Sequence, residues 1–162
     1  MKKIGLISDT HVPERSKTLP LKVHELFKGV DLIIHSGDIT HEDVLIELET
    51  IAPVEAVLGN MDGYYIKRDL PEKKVIEVEK VKIGIIHGSG SPFGIEERIA
   101  QEFQNVDVIV YGHTHRAVIK EINGILFINP GTPSDRIFSS RFTLGFLHVE
   151  NGKIVKAYIK EI

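Results

Sequence analysis

The chain has 162 residues, of which 42% are apolar and 27% are charged, and its formal net charge is -3. This length and composition predict one folded domain over residues 1–162, and the negative charge disfavours a general nucleic-acid or membrane-surface binder. The absence of cysteine excludes disulfides and thiolate metal sites, and no apolar run is long enough to predict a transmembrane helix.

The first half of the chain is predicted to alternate strands and helices. Short apolar runs without polar alternation predict buried strands at residues 4–8, 32–35 and 54–58. Apolar residues at helical spacing predict helices at residues 19–27 and 41–49. Strands and helices in this order imply right-handed parallel crossovers.

Polar residues indicate where the first strand ends and where the second helix begins. Asp9 and His11 end the first apolar run, and no small-residue cleavage site follows it, which favours a strand over a signal peptide. In a chain without cysteine, the cytoplasm is the expected compartment. Thr40 is expected to cap the second helix, with Asp43 completing a capping box.

The second half is predicted to be rich in hairpins. A charged link joins the strands predicted at residues 74–78 and 81–86, and a helix at 95–103 precedes a buried strand at 106–110. Asn123-Gly124 and Asn151-Gly152 are typical two-residue hairpin turns. They predict strands at residues 117–122, 125–128, 142–149 and 154–159. We expect an antiparallel meander in the C-terminal third, and an α/β domain with two sheets and the helices packed outside.

Polar residues that suit transition metals follow five of the apolar runs. They are Asp9-Thr10-His11, Gly37-Asp38, Gly59-Asn60, His87 and Gly112-His113-Thr114-His115. Because ligands bind at the carboxyl ends of strands in open α/β folds, we expect these side chains to meet at one edge. Imidazole and carboxylate ligands favour Mn, Fe, Zn, Co or Ni over Ca.

The spacing within these motifs predicts how the ligands are arranged. Asp9 and His11 are two residues apart, so in extended geometry they project to the same side, and His113 and His115 repeat this spacing. Asp38 is the best candidate to bridge two ions with its two oxygens. Two ions about 3.5–4 Å apart would present a shared hydroxide to phosphorus and hold the phosphate oxygens, which points to phosphoester hydrolysis.

Several polar residues near these motifs have two interpretations. His35 is expected to pack in the core rather than to support a metal ligand, whereas Asp62 has either a turn role or an orienting role. The Gly88–Gly94 loop is either a flexible loop or a substrate loop with backbone N–H groups facing phosphate. Arg116 and Arg136 are candidate phosphate contacts.

The ordered motifs resemble the calcineurin-like metallophosphoesterase superfamily, and most closely its small YfcE-type phosphodiesterases and the related Vps29 fold. The resemblance implies a single metallophosphoesterase domain folded as a four-layer αββα sandwich, in which two mixed β-sheets are flanked by helices. It further implies that Asp38, Asn60, His87 and His113 have catalytic roles. By the same resemblance, one divalent ion is held by Asp9, His11, Asp38 and His115, and the other by Asp38, Asn60, His87 and His113.

The resemblance implies a metal-dependent phosphodiesterase with a small phosphoester substrate, and Mn is the expected metal. Met61 stands where many members carry a histidine that protonates the leaving group, and Ser89 stands where many carry a second histidine. A phosphomonoesterase or nucleotidase of the same fold and a non-catalytic Vps29-like scaffold are the alternatives. A homodimer is compatible with apolar residues in the C-terminal strands.

Overall fold

Two five-stranded β-sheets form the centre of the protein, in a computed structural model that describes residues 1–162. The first sheet consists of β1 (Lys2–Ile7), β2 (Leu32–His35), β3 (Val54–Ala56), β9 (Thr143–Glu150) and β10 (Lys153–Glu161). Its spatial order is β10-β9-β1-β2-β3. Strands β1, β2 and β3 are parallel, while β9 is antiparallel to both β1 and β10. The sheet is therefore mixed, as predicted.

The second sheet is also mixed. It consists of β4 (Lys73–Val78), β5 (Val81–Ile86), β6 (Val108–Val110), β7 (Val118–Ile122) and β8 (Ile125–Asn129). Its spatial order is β4-β5-β6-β8-β7, with β5, β6 and β8 parallel and the two edge strands antiparallel to their neighbours. The carboxyl ends of the parallel strands in the two sheets carry all of the predicted metal ligands.

Three apolar clusters correspond to the three interfaces of a four-layer sandwich. The helices are α1 (Leu21–Phe27), α2 (Glu42–Glu49) and α3 (Ile95–Ala100). In β2, Ile33 joins the cluster beneath α1 and α2, whereas Ile34 joins the cluster between the sheets, as the two-residue period of a strand requires. Ile99 of α3 packs with Phe127 of the second sheet. The αββα architecture is confirmed, and none of the three helices is long and apolar enough to cross a membrane.

The predicted C-terminal meander is wrong, although both Asn-Gly hairpins are present. The β7–β8 hairpin belongs to the second sheet, where β8 pairs in parallel with β6. The β9–β10 hairpin belongs to the first sheet, where β9 pairs with β1. A turn sequence specifies which two strands pair with each other, but the sheet that a hairpin joins depends on residues far away in the chain.

The predicted cap of α2 is also wrong. His41 occupies the N-cap position, and its Nδ1 accepts a hydrogen bond from the Asp43 N–H at 3.2 Å. Thr40 instead donates its hydroxyl to the carbonyl of Val12 at 2.7 Å, which ties the β2–α2 loop to the loop after β1. Helix α1 begins at Leu21 because Pro20 has an extended ψ of 136° at the N-cap position.

Candidate metal centre

All seven predicted ligands lie in the loops at the carboxyl ends of five strands. Those loops follow β1, β2 and β3 in the first sheet and β5 and β6 in the second. Hydrogen bonds join the loops of the two sheets, since the His113 N–H donates to Oδ2 of Asp9 at 3.1 Å and Nδ1 of His87 lies 2.9 Å from the Ser36 carbonyl. The loops of the two sheets therefore meet at one edge.

The ligand loops are not extended, contrary to the prediction. Asp9, His11, Asp38, His113 and His115 have positive φ angles of 54°, 45°, 54°, 72° and 59°. The backbone bends tightly at each of these residues. As a result, the His113 and His115 side chains diverge rather than project to the same side. His115 faces Asp9, while His113 faces Asn60.

The first ligand group contains Asp9, His11 and His115. The Oδ1 atom of Asp9 lies 3.7 Å from Nε2 of His11 and 3.1 Å from Nε2 of His115. The other carboxylate oxygen, Oδ2, accepts hydrogen bonds from the Ser8 hydroxyl at 2.7 Å and from the His113 N–H at 3.1 Å. These two donors fix the carboxylate so that Oδ1 faces the imidazoles.

The second group contains Asp9, Asp38 and His87. The Oδ2 atom of Asp38 lies 3.1 Å from Nε2 of His87 and 3.6 Å from Nε2 of His11, so it contacts one imidazole of each group. Its Oδ1 atom is occupied by the Met61 N–H at 2.9 Å. Asp38 therefore directs Oδ2 toward both groups, and the bridging of two ions by its two oxygens stays a prediction. Asp9 is also shared, since its Oδ1 lies 3.7 Å from Nε2 of His87.

Asn60 and His113 form a separate pair beside these groups. The Asn60 Nδ2 atom lies 3.4 Å from Nδ1 of His113, and Nε2 of His113 lies 2.8 Å from the Gly90 carbonyl. A ligand role for Asn60 requires its carbonyl oxygen, which a half-turn of the amide places where the nitrogen now lies. Asn60 is exposed and His113 is half-buried like His115, whereas the other four predicted ligands are buried.

The chemistry of the buried ligands fits a metal ion. Asp9 Oδ1, both ring nitrogens of His11 and Nε2 of His87 are buried without a hydrogen-bond partner. Buried polar atoms are rarely left without partners, because each one loses its hydrogen bonds to water. In both groups the facing ligand atoms lie within 4.8 Å of one another, as the ligands of one ion would.

Burial and neighbouring charges both shift the pKa values of the groups in this site. Burial alone would raise the pKa of Asp9, but the imidazoles of His11, His115 and His87 outweigh burial and hold that pKa below its ordinary value. Burial alone would lower the pKa of His87, but Asp38 and Asp9 outweigh it and raise the pKa to about 9. The raised pKa favours the protonated His87 imidazole in the metal-free protein, and a bound cation would displace that proton.

Asp135 is a residue of the site that the sequence motifs did not reveal. It is buried, and its Oδ2 lies 2.9 Å from Nδ1 of His115, a charge contact outside hydrogen-bonding geometry. The same oxygen accepts a hydrogen bond from Arg15 at 2.6 Å. A carboxylate on the far side of a ligand imidazole directs the other ring nitrogen toward the metal. No short motif surrounds Asp135, so only its position in space shows this role.

His35 supports the ligand loops from within the core. Its Nδ1 accepts a hydrogen bond from the Gly37 N–H at 3.2 Å, so Nε2 carries the proton in the neutral ring. Nε2 lies 3.1 Å from the Thr10 hydroxyl, which donates to the Ile39 carbonyl at 3.3 Å. His35 therefore links the loops after β1 and β2, in addition to the packing role that was predicted.

Acidification is expected to destabilise the fold through His35. Burial lowers the pKa of His35 to about 3 in the folded chain, whereas its ordinary value is 6.5. Its contribution to stability is therefore complete above about pH 6.5 and is lost as the pH falls toward about 3, by up to about 1.4 kcal/mol per pH unit.

Denaturant titrations at neutral and acidic pH measure this effect. The difference in unfolding free energy between the wild type and His35→Gln should narrow as the pH falls, because glutamine has no proton to gain. A difference that stays constant between pH 7 and 4.5 would contradict the assignment.

Asp62 has a structural role in the loop after β3. Its two oxygens accept hydrogen bonds from the Thr40 N–H at 2.7 Å and the Gly59 N–H at 2.8 Å. Burial raises the pKa of this carboxyl group. These contacts support the turn role and join the loops that carry Asp38 and Asn60.

A cavity of about 440 Å³ opens above the ligands. Met61, Pro92, Arg15, Arg116 and Phe138 are on its walls, and five of the seven predicted ligands lie at its base. Arg116 is thus placed as predicted for a phosphate contact, whereas Arg136 lies in a different cavity with Ser16 and Pro133. From the sequence alone both arginines were candidate phosphate contacts, and only the structure shows that Arg116, and not Arg136, lines the cavity above the ligands.

The Gly88–Gly94 loop is held in place by Arg98. The guanidinium group donates to the carbonyls of Phe93 at 2.8 Å, Ser89 at 2.8 Å and Ser91 at 2.6 Å. These bonds do not support the expectation of a flexible loop. Gly90 and Pro92 line the cavity, so the loop forms one wall of the site.

A four-layer sandwich with buried carboxylates and imidazoles at one edge of its sheets is the architecture of a metallophosphoesterase. The calcineurin-like phosphoesterase superfamily domain matches residues 1–152, and the chain belongs to this family. The resemblance inferred from the ordered motifs is therefore confirmed.

Individual relatives agree with this assignment. A probable metallophosphoesterase of Methanothermobacter thermautotrophicus is 42% identical over 133 residues, which cover 81% of this chain and 77% of the relative. A phosphodiesterase of Methanocaldococcus jannaschii is 34% identical over 143 residues, which cover 80% of this chain and 82% of the relative. The structure of Entamoeba histolytica Vps29 complexed with Zn²⁺ is 26% identical, covers 99% of this chain and 98% of its own, and has a TM-score of 0.78.

Proposed function

We propose that this protein is a divalent-metal-dependent phosphodiesterase that acts on small phosphoesters, with the cytoplasm as its compartment. The observation that carries the proposal is the set of buried carboxylate and imidazole atoms that face one another without hydrogen-bond partners. The similarity to a phosphodiesterase of Methanocaldococcus jannaschii supports the choice of a diester. The negative net charge supports a small substrate rather than a nucleic acid.

The proposed ligand sets share Asp38. Bound ions would polarise phosphoryl oxygens and lower the pKa of a coordinated water. Manganese is the first choice, and iron, nickel, cobalt and zinc suit the same ligands. One set is Asp9, His11, Asp38 and His115, and the other is Asp38, Asn60, His87 and His113.

The protein's own side chains define the rest of the proposed chemistry. Asp135 and the Ser36 carbonyl, which lies 2.9 Å from Nδ1 of His87, orient two of the imidazoles. Arg116 is the side chain available to neutralise a phosphate oxygen in the cavity. Met61 also lines the cavity and has no proton to donate, so the leaving group receives its proton from water or from another residue. This arrangement favours esters with good leaving groups.

The decisive experiment is a substrate panel measured after reconstitution with metal. We expect bis(p-nitrophenyl) phosphate to be hydrolysed with a kcat/KM at least about tenfold above that of p-nitrophenyl phosphate, with cyclic nucleotides as a third class. A preference for the monoester would overturn the diester assignment in favour of a phosphomonoesterase or nucleotidase.

A scaffold role is the second candidate, because the fold closely resembles that of Vps29. Elemental analysis of the reconstituted protein separates the two functions. The proposed enzyme binds two ions per chain and hydrolyses activated diesters. Fewer than two bound transition ions together with no diester hydrolysis would favour the scaffold. A homodimer is compatible with the proposed function, and light scattering measures the oligomeric state directly.

A further inference from the structure

A second cavity, of about 610 Å³, adjoins the cavity above the metal ligands. His115, Arg116 and Phe138 line both cavities. The second cavity extends from this shared wall along Ser139, Ser140 and Arg141 toward β10. A ligand held at the metal centre therefore has room to extend past Phe138 into the second cavity.

Phe138 is exposed yet held in place. Its side chain is 68% exposed, although the guanidinium carbon of Arg15 lies 4.8 Å from the ring centroid. The ring also meets the His115 imidazole edge to face, with centroids 5.9 Å apart and an interplanar angle of 81°. Arg15 is anchored by its hydrogen bond to buried Asp135. One face of the ring is thus supported by a cation, and most of the side chain remains open to a ligand.

The charges around Phe138 suit an anion that carries a ring. Arg116 lines both cavities, and its guanidinium makes no hydrogen bond or ion pair within the protein. Arg141 in the second cavity is paired with Glu161 at 2.8 Å, so Arg116 is the free cation at the boundary. An open aromatic face beside a free guanidinium matches a phosphoester with an aromatic substituent.

We propose that Phe138 stacks against an aromatic substituent of the phosphodiester, an aryl ring or a nucleobase on the group that stays attached to phosphorus. This inference rests on the proposed phosphodiesterase function and specifies its substrate class. Stacking of a base on an aromatic side chain contributes to affinity by a factor of about ten. The cavity beyond Phe138 then holds the rest of the retained group.

The test compares two diesters that release the same leaving group. Methyl p-nitrophenyl phosphate and thymidine 5′-(p-nitrophenyl phosphate) both yield p-nitrophenolate and differ only in the retained group. For the wild type, we expect kcat/KM to be about tenfold higher for the thymidine ester. In Phe138→Ala this ratio should fall toward one, and Phe138→Tyr should restore it.

Leu21→Ala is the matched control. Leu21 is a large apolar side chain at the start of α1 that is 80% exposed and lines neither cavity, so its truncation should leave the ratio at the wild-type value. A wild-type ratio near one would overturn the proposal, as would equal losses for both esters in Phe138→Ala.

A binding measurement separates this inference from the proposed activity. If no diester is hydrolysed, the phosphodiesterase assignment fails, but calorimetry with thymidine 5′-monophosphate and methyl phosphate still tests Phe138. Phe138→Ala should weaken binding of the nucleotide about tenfold and leave methyl phosphate unchanged. Equal affinities of wild type and variant for the nucleotide would contradict the stacking role.

Discussion

Replacement of Asp38 with alanine is expected to abolish metal-dependent hydrolysis, with a loss in kcat/KM of at least about a thousandfold. The carboxylate stands between the two ligand groups, with its free oxygen 3.1 Å from His87 and 3.6 Å from His11. Its removal takes away a negative charge that faces two imidazoles, and it also leaves the Met61 N–H without its acceptor. Kinetics with an activated diester and elemental analysis of the same sample measure both consequences.

Two further variants separate the causes of the loss in kcat/KM. Asp38→Asn keeps an oxygen for the Met61 N–H, so it isolates the effect of the missing charge from the effect on the loop. Asp69→Ala removes an exposed carboxylate that makes no hydrogen bond or ion pair, and it should behave like the wild type. Full activity of Asp38→Ala with a normal metal content would show that Asp38 is not a ligand.

Gly112→Ala is expected to damage both the site and the fold. A Cβ at residue 112 would lie 2.1 Å from the Ser8 hydroxyl and 2.6 Å from Oδ2 of Asp9. Those two groups hydrogen-bond to each other and set the direction of the Asp9 carboxylate. An overpacked core position costs about 1–3 kcal/mol, and a displacement of about 1 Å in a catalytic group lowers activity about a hundredfold.

Gly63→Ala is the matched control for this substitution. It lies in a neighbouring loop, where a Cβ would meet no atom within 4 Å. Denaturant titration should show a lower unfolding free energy for Gly112→Ala only, and kcat/KM should fall in the same variant. Wild-type metal content and kinetics in Gly112→Ala would mean that the Ser8–Asp9 pair does not determine ligand geometry.

The side chains that the structure brings together at one edge were predictable because each stands in a short local motif. Carboxylates and imidazoles directly after apolar strands imply a metal, and the order of the motifs identifies the family. The two hairpins were predictable for the same reason, since Asn-Gly turns act between neighbours in the chain.

The features that were mispredicted depend on distant residues. The sheet that each hairpin joins follows from pairing with β6 or β1, which no turn sequence encodes. Thr40 was predicted as a cap from its neighbours, but Val12, 28 residues away, takes its hydroxyl. Asp135 was missed because its contact with His115, 20 residues away, exists only once the β7–β8 hairpin between them has folded.

The left-handed backbone at five of the proposed ligands carries a cost in stability. For a residue other than glycine, that conformation costs about 1 kcal/mol. It occurs at Asp9, His11, Asp38, His113 and His115. Glycine would relieve the backbone cost, but at Asp9 and Asp38 it would also remove the acceptors of the Ser8 hydroxyl and the Met61 N–H. The side-chain hydrogen bonds of the two carboxylates therefore hold the loops in a conformation that the backbone alone disfavours.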